Sequence, residues 1–187
     1  MSEVHISDTS ASLERANKIL AGIGNGNSVM RAVASAAKRA AQSGRAKAGQ
    51  FASDRYFISS GGFKGHVKDK IKVNGGGAGA TSVSIEFAGT VIPLIEFNTS
   101  FSRAGGVTAH VKKGGGGPVN HAFIARIGRT SVYERTTTKR FPVEKKYSVS
   151  AAHMMMDETV EANMDKQITS VFEERMEHEI TRILNGW

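Results

Sequence analysis

The sequence predicts an α+β fold from three observations: an Ala-rich helical run near the N-terminus, alternating strand segments in the middle, and a long amphipathic run at the end. Helices at the two ends and strands between them call for an antiparallel sheet with long hairpins, packed against both helices. At 187 residues the chain is expected to form one domain. Its parts are an N-terminal arm and short helix over 1–27, a helix over 28–53, sheet and hairpins over 70–150, and a C-terminal helix over 157–184.

Leu13, Ala16, Ile19, Leu20 and Ile23 follow a helical period, so residues 11–21 are expected to form a short helix that Gly22, Gly24 and Gly26 break. Asn27 or Ser28 can cap the next helix, whose apolar side is expected to carry Val29, Val33, Ala37, Ala40 and Phe51. Gly44 and Gly49 within it cost about 1 kcal/mol each relative to Ala, which points to a close backbone approach or a kink. Val83, Ile85 and Phe87 then alternate with polar residues as a half-buried strand. Residues 91–97 are nearly all apolar, but Pro93 cannot donate to a ladder and places them at an edge or a strand start. Further strands are expected over 107–111, 121–127 and 131–135, with Gly75–Gly79 and Gly114–Gly117 at hairpin tips. The final run, from Val160 through Met164, Ile168, Val171, Phe172, Met176, Ile180 and Ile183 to Leu184, reads as one helix. Asp157 can cap it and Asn185-Gly186 ends it. Burial of the 160/164/168/172/176/180 stripe follows.

The absence of Cys removes disulfide scaffolds, thiolate zinc sites and cysteine nucleophiles. Met1–Ser10 contains Glu3 and Asp8 and no apolar run, so no signal peptide is expected there. No stretch approaches the roughly 18 apolar residues of a membrane span, and no membrane partner is expected. Gly75-x-Gly77-x-x-Ala80 matches a dinucleotide fingerprint, yet a strand follows the glycines where a helix should start. Ser35-x-x-Lys38 lacks the companion triplets of penicillin-interacting enzymes. His5, His66, His110, His121, His153 and His178 form no metal-ligand spacing, and Met154–Met156 reads as core or interface filler. No nucleophile, base and oxyanion donors assemble, so the chain is read as no enzyme, with no cofactor and no metal.

Charge carries more information. The net charge is +8 and the isoelectric point about 9.9. Residues 31–72 and 103–146 each hold ten basic and two acidic side chains, while 157–187 has a net charge of −5. A chain so polarised can bind a polyanion, or bind copies of itself. Arg31, Lys38 and Arg45, seven residues apart, share one helix face, with Arg39 one step round. The strand region adds Lys112, Lys113, Arg126, Arg129, Arg135, Lys139 and Arg140. No aromatic pair lies within a basic strand, which disfavours a dedicated single-strand binder.

The runs LERANKILAGI (13–23), AAKRAAQSGRAKA (36–48), VTAHVKKGGGG (107–117), HAFIARI (121–127), VYERTTTKRFPV (132–143) and FEERMEHEITRIL (172–184) together resemble the minor tail protein Z family. These are tail-completion proteins of lambda-type long-tailed bacteriophages and prophages. The resemblance covers about 13–184 and implies a structural virion protein of the tail and neck, assembled in the host cytoplasm. Such a protein completes the head-proximal end of a long non-contractile tail and supports head–tail joining and DNA passage. It implies a head-to-tail ring, expected to be a hexamer, with tail-terminator and head–tail connector proteins as partners and genomic DNA in the channel as an open third. A nonspecific nucleic-acid-binding protein is the alternative. The interaction groups, toward a subunit, a neck partner or DNA, are Arg31, Lys38, Arg45, Lys112, Lys113, Gly114, Gly115, Gly116, Gly117, Arg126, Arg129, Arg135, Lys139 and Arg140. The Lys112–Pro118 tip is either a floppy turn or, as the reading taken forward, an arm that reaches another chain.

Overall fold

In chain order the backbone forms strand β1 (Ser2–His5), helices α1 (Gly26–Arg55) and α2 (Ser60–His66), and strands β2 (Val67–Asn74) and β3 (Ser82–Gly89). Strand β4 (Val91–Pro93) and a 3-10 turn (Leu94–Glu96) precede β5 (Asn98–Ser102), β6 (Gly106–His110) and β7 (Gly117–Val119). Then come β8 (Ala122–Ile127), β9 (Arg129–Arg135), β10 (Val143–Lys145) and β11 (Tyr147–Ser150), followed by helices α3 (Ala151–Met155) and α4 (Glu158–Leu184). This computed structural model describes residues 2–5, 26–74, 82–103 and 105–185. The short helix expected over 11–21, the Gly75–Gly79 tip, the Val29 side chain and Gly186 lie outside the described residues.

The fold is α+β, as the sequence predicts. Among the described residues the strands do not make one sheet but four small ones: β1-β3-β2, β5-β6-β7, β10-β9-β8 and the pair β11-β4. The chain divides into two compact units. The first comprises Met1–Ala48, Asp69–Phe87 and Glu161–Trp187; the second comprises Gly49–Lys68 and Ala88–Val160.

In the first unit, α1 and α4 run antiparallel. Ser35 Oγ donates to Glu179 Oε1 at 3.1 Å, while Gln167 Nε2 donates to Ser43 Oγ at 3.1 Å and Lys47 Nζ to Gln167 Oε1 at 2.8 Å. Position numbers falling on one helix as they rise on the other fix that direction. The buried stripe of α1 is small: Ala32, Ala36, Ala40, Gly44 and Ala48 recur every four residues. Of the expected side, Ala37 and Ala40 are buried, whereas Val33 and Phe51 are only half-buried. The reason is the partner. Met164, Ile168, Phe172 and Met176 of α4 are no more than 2% exposed, and bulky side chains on one helix pack best over small ones on the other. Gly44 shows how close the approach is, because a Cβ there would lie 2.7 Å from Ile168 Cγ1. The α4 stripe also fades at its end, with Ile180 and Ile183 half-buried and Leu184 exposed. Strand β3 adds Val83, Ile85 and Phe87 to this core, buried on alternate positions as expected, but Ser84 on its other face is buried too.

The second unit gathers Tyr56, Ile58, Phe63, Ile92, Leu94, Phe97, Val107, Val132, Met154 and Met155 in its core. Gly49 belongs to it and approaches Ser60 so closely that a Cβ would meet Ser60 Oγ at 2.6 Å. The apolar run over 91–97 is not one strand: Pro93 ends β4, and Leu94–Glu96 turns as a 3-10 helix. Both short helices are capped by a preceding Ser. Ser59 Oγ accepts from Gly62 N at 3.0 Å and Ser150 Oγ from His153 N at 3.1 Å. Of the Met run, Met154 and Met155 are core, whereas Met156 is exposed.

Candidate functional site

The second unit holds a net charge of +7, nearly all of the chain's +8. Much of it sits on the β8–β9–β10 meander. Strand β9 pairs antiparallel with β8 from Ala122↔Glu134 to Ile127↔Arg129, and with β10 from Val143↔Arg135 to Lys145↔Tyr133. The β8–β9 hairpin closes on Gly128 at φ 76°, a left-handed conformation open to glycine. Beyond the reach of β10, residues 126–130 are all exposed, which puts Arg126 and Arg129 together on one tip. The Tyr133 hydroxyl donates to Ile127 O at 3.2 Å and stiffens that tip from below. At the other end, the loop over 136–142 presents Lys139 and Arg140, with the Arg140 guanidinium 5.8 Å from the Phe141 ring centroid.

Strand alternation places Phe123, Tyr133, Arg135 and Lys145 on one face of this meander. Phe123 and Tyr133 face each other across strands at 6.2 Å, and the Arg135 guanidinium lies 4.6 Å over Phe123. An aromatic pair therefore exists across the basic strands, where one-dimensional reading finds none. Tyr133 is 8% exposed, so its ring offers little surface for a base to stack on. Arg126, Arg129, Arg135, Lys139, Arg140 and Lys145 have no carboxylate partner among the described residues. Lys146, by contrast, is paired with Glu134.

The glycine-rich tip is short and tied down at its base. Phe57 N donates to Val111 O and Lys113 N to Arg55 O, both at 2.9 Å, which joins the end of α1 to the β6–β7 hairpin. Gly116, at φ 139°, packs so closely that a Cβ would meet His110 Nδ1 at 2.5 Å and Ala109 O at 2.6 Å. Lys112 does not project outward as a free charge. Its Nζ lies 2.6 Å from Asp157 Oδ2, to which the Tyr56 hydroxyl also donates at 3.4 Å. Asp157 Oδ1 accepts from Thr159 N at 3.2 Å and so caps α4, as expected, with Arg55 Nε 3.4 Å away but not aligned as a donor. The hydrogen bond from Lys112 outweighs the desolvation of this carboxylate and, with the Thr159 amide, lowers its pKa to about 2. Burial, then the Asp157 charge, push the Tyr56 phenol above its ordinary value. Arg55, Lys112, His153 and Glu158 edge an open polar recess of about 330 Å³ here. With both Asp157 oxygens already engaged, the cluster is a latch between segments of this unit.

In the first unit Arg31, Lys38 and Arg39 are exposed along α1, and Arg45 is paired with Asp69. The Ser35 hydroxyl is bonded to Glu179, away from Lys38 chemistry. The sequence reading misses a cluster around Glu179. Arg39 of α1 and Arg175, His178 and Arg182 of α4 line one recess of about 530 Å³. The signal was available in the spacing: Arg175, His178 and Arg182 lie at i, i+3 and i+7, on one helix face. Arg182 Nη2 is 3.1 Å from Glu179 Oε2. Among the described residues no group of His, Asp and Glu converges to hold a metal ion, and no helix is long and apolar enough to cross a membrane. In comparisons with known proteins, no family model, no curated protein and no solved structure matches the chain.

Proposed function

We propose that this chain is a structural virion protein that completes the head-proximal end of a long non-contractile phage tail. It acts by shape and charge, as a head-to-tail hexameric ring between tail-terminator and connector proteins, and supports head–tail joining and the passage of DNA. The reading starts from the six sequence runs that resemble the minor tail protein Z family. The structural observation that carries it is unneutralised charge of opposite sign on different elements. Glu173, Glu174 and Glu177 are exposed on α4 without an ion-pair partner among the described residues, and so are Arg126 and Arg129 on the β8–β9 tip. Contact between unlike surfaces of successive copies brings such charges together and closes a ring when the rotation allows. Mass spectrometry of fractionated virions tests this. The chain is expected in purified tails at ring stoichiometry, and its absence from them overturns the reading.

The +7 charge of the second unit favours a second reading, nonspecific nucleic-acid binding. That function predicts a steep fall of duplex-DNA affinity with salt, since each neutralised phosphate contributes about 0.9 to the log–log slope. A tail protein binds free duplex weakly.

A further inference from the structure

We propose that the recess edged by Arg39, Arg175 and Arg182 in the first unit is a phosphate-binding site. The inference stands apart from the virion reading and does not need it. Antiparallel pairing of α1 with α4, fixed by the Ser35–Glu179 hydrogen bond, sets Arg39 one turn along from Ser35 and Arg175 one turn back from Glu179. Arg182 comes from the next turn of α4, so three guanidinium groups from two rigid helices share one recess. Among the described residues, Glu179 is the one carboxylate that lines it. That carboxylate takes the Ser35 hydroxyl on Oε1, and Arg182 Nη2 lies 3.1 Å from its Oε2, which is buried and accepts no hydrogen bond. Arg39 and Arg175 are left without an anion among the described residues, and Arg175 Nε is buried with no hydrogen-bond partner.

A buried unpartnered guanidinium nitrogen is costly, and with one carboxylate against three guanidinium groups the recess keeps a surplus of positive charge that an oxyanion can meet. Guanidinium forks match phosphate oxygens in plane and spacing, and several forks can engage one tetrahedral anion together. The recess is open and about 530 Å³, within the usual range of small-ligand sites, so the phosphate can carry a substituent. Asn185 and His178 also line the recess. The Thr181 hydroxyl adds no donor, because it already donates to Glu177 O at 2.8 Å.

Calorimetric titration of the full chain with inorganic phosphate tests the site, with acetate at equal ionic strength as the reference anion. Saturable binding of phosphate, and none of acetate, is expected. Arg39→Gln, at an exposed position that folding does not need, and Arg175→Gln should each weaken it at least tenfold, while Lys166→Ala elsewhere on α4 leaves it unchanged. A second arm uses a short duplex DNA. Parallel loss of phosphate and duplex binding in the two Arg variants identifies the nucleic-acid backbone as the source of the phosphate; loss of inorganic phosphate binding alone identifies a free phosphate compound. No saturable phosphate binding, or equal binding by Arg39→Gln and the parent chain, overturns the proposal.

Discussion

Asp157 holds two roles on one carboxylate: Oδ1 caps α4 and Oδ2 receives Lys112. Asn retains the cap but not the charge, whereas Ala loses both. Asp157→Ala should therefore be less stable than Asp157→Asn by about 1 kcal/mol, the usual worth of an N-cap, as read by denaturant unfolding. The charge has its own signature in pH. The folded carboxyl titrates at about 2 instead of 3.8, so the folded state releases this proton more readily than the unfolded one. Its contribution is complete above about pH 4 and is lost as pH falls from about 4 toward 2. Asp157→Asn should flatten that part of the stability profile; an unchanged profile would show that other carboxylates govern acid unfolding. The glycine tip makes a second residue-level test. Gly116 needs both its positive φ and the space that His110 and Ala109 leave, while a Cβ at Gly115 or Gly117 meets nothing within 4 Å. Gly116→Ala should cost about 1–3 kcal/mol, with Gly115→Ala and Gly117→Ala within about 0.5 kcal/mol of the parent. Equal effects at all three would mean that the tip does not hold this turn.

The α1–α4 pair depends on one missing side chain. Adding a Cβ at Gly44 gains about 1 kcal/mol in helix propensity but drives it into Ile168 Cγ1. Gly44→Ala should thus be net destabilising, by about 1–3 kcal/mol, and Ile168→Ala by about 2–5 kcal/mol through its cavity. Because each change supplies the room or volume the other lacks, the double variant should be more stable than the sum predicts by at least 1 kcal/mol. Strict additivity would remove the close approach as the explanation. The same pair shows what sequence pattern can reveal. The α4 stripe was legible because large apolar residues recur every four positions. The buried side of α1 was not, since Ala falls on every side of this helix and only the partner selects Ala32, Ala36, Ala40 and Ala48. The strands 82–89 and 106–110 were legible by alternation, and 122–127 and 129–135 as runs of strand-forming residues; β5, β7, β10 and β11 were not, and β2 was missed although Val67, Ile71 and Val73 alternate with Lys68, Lys70 and Lys72. Polar residues on exposed edges, and a three-residue strand containing Pro118, carry almost no period. Helix α2 hid behind the glycines of Ser60–His66, its start set by a Ser59 cap that a serine-rich sequence does not advertise. At the candidate sites, the basic residues were visible by type. Their pairing was not: Lys112 and Arg45 are committed to Asp157 and Asp69, and Arg175 joins Arg39 only through the tertiary contact of two helices.

For the whole molecule, the proposed ring requires that what one chain leaves uncompensated is compensated by the next. Exposed ion pairs are worth only about 0–1 kcal/mol each, so they select register more than they supply affinity, and salt weakens them further. A charge-reversal series separates this from a merely solvated surface. Reversing the acidic α4 positions with Glu173→Lys, Glu174→Lys and Glu177→Lys should impair ring formation, because the lysines then oppose the cations of the neighbouring copy. Reversing the hairpin tip with Arg126→Glu and Arg129→Glu should impair it equally, by facing carboxylates with carboxylates. None of the five residues is buried, so each set should leave the monomer folded, as circular dichroism will report. Combining both sets in one chain swaps the two signs at every junction of a head-to-tail ring and should restore assembly, measured by native mass spectrometry and by incorporation into tails. An isologous dimer would not require that junction, and two unrelated surfaces would leave the combined chain at least as defective as either set alone. Recovery in the combined chain is thus the outcome that only direct pairing of these two elements produces.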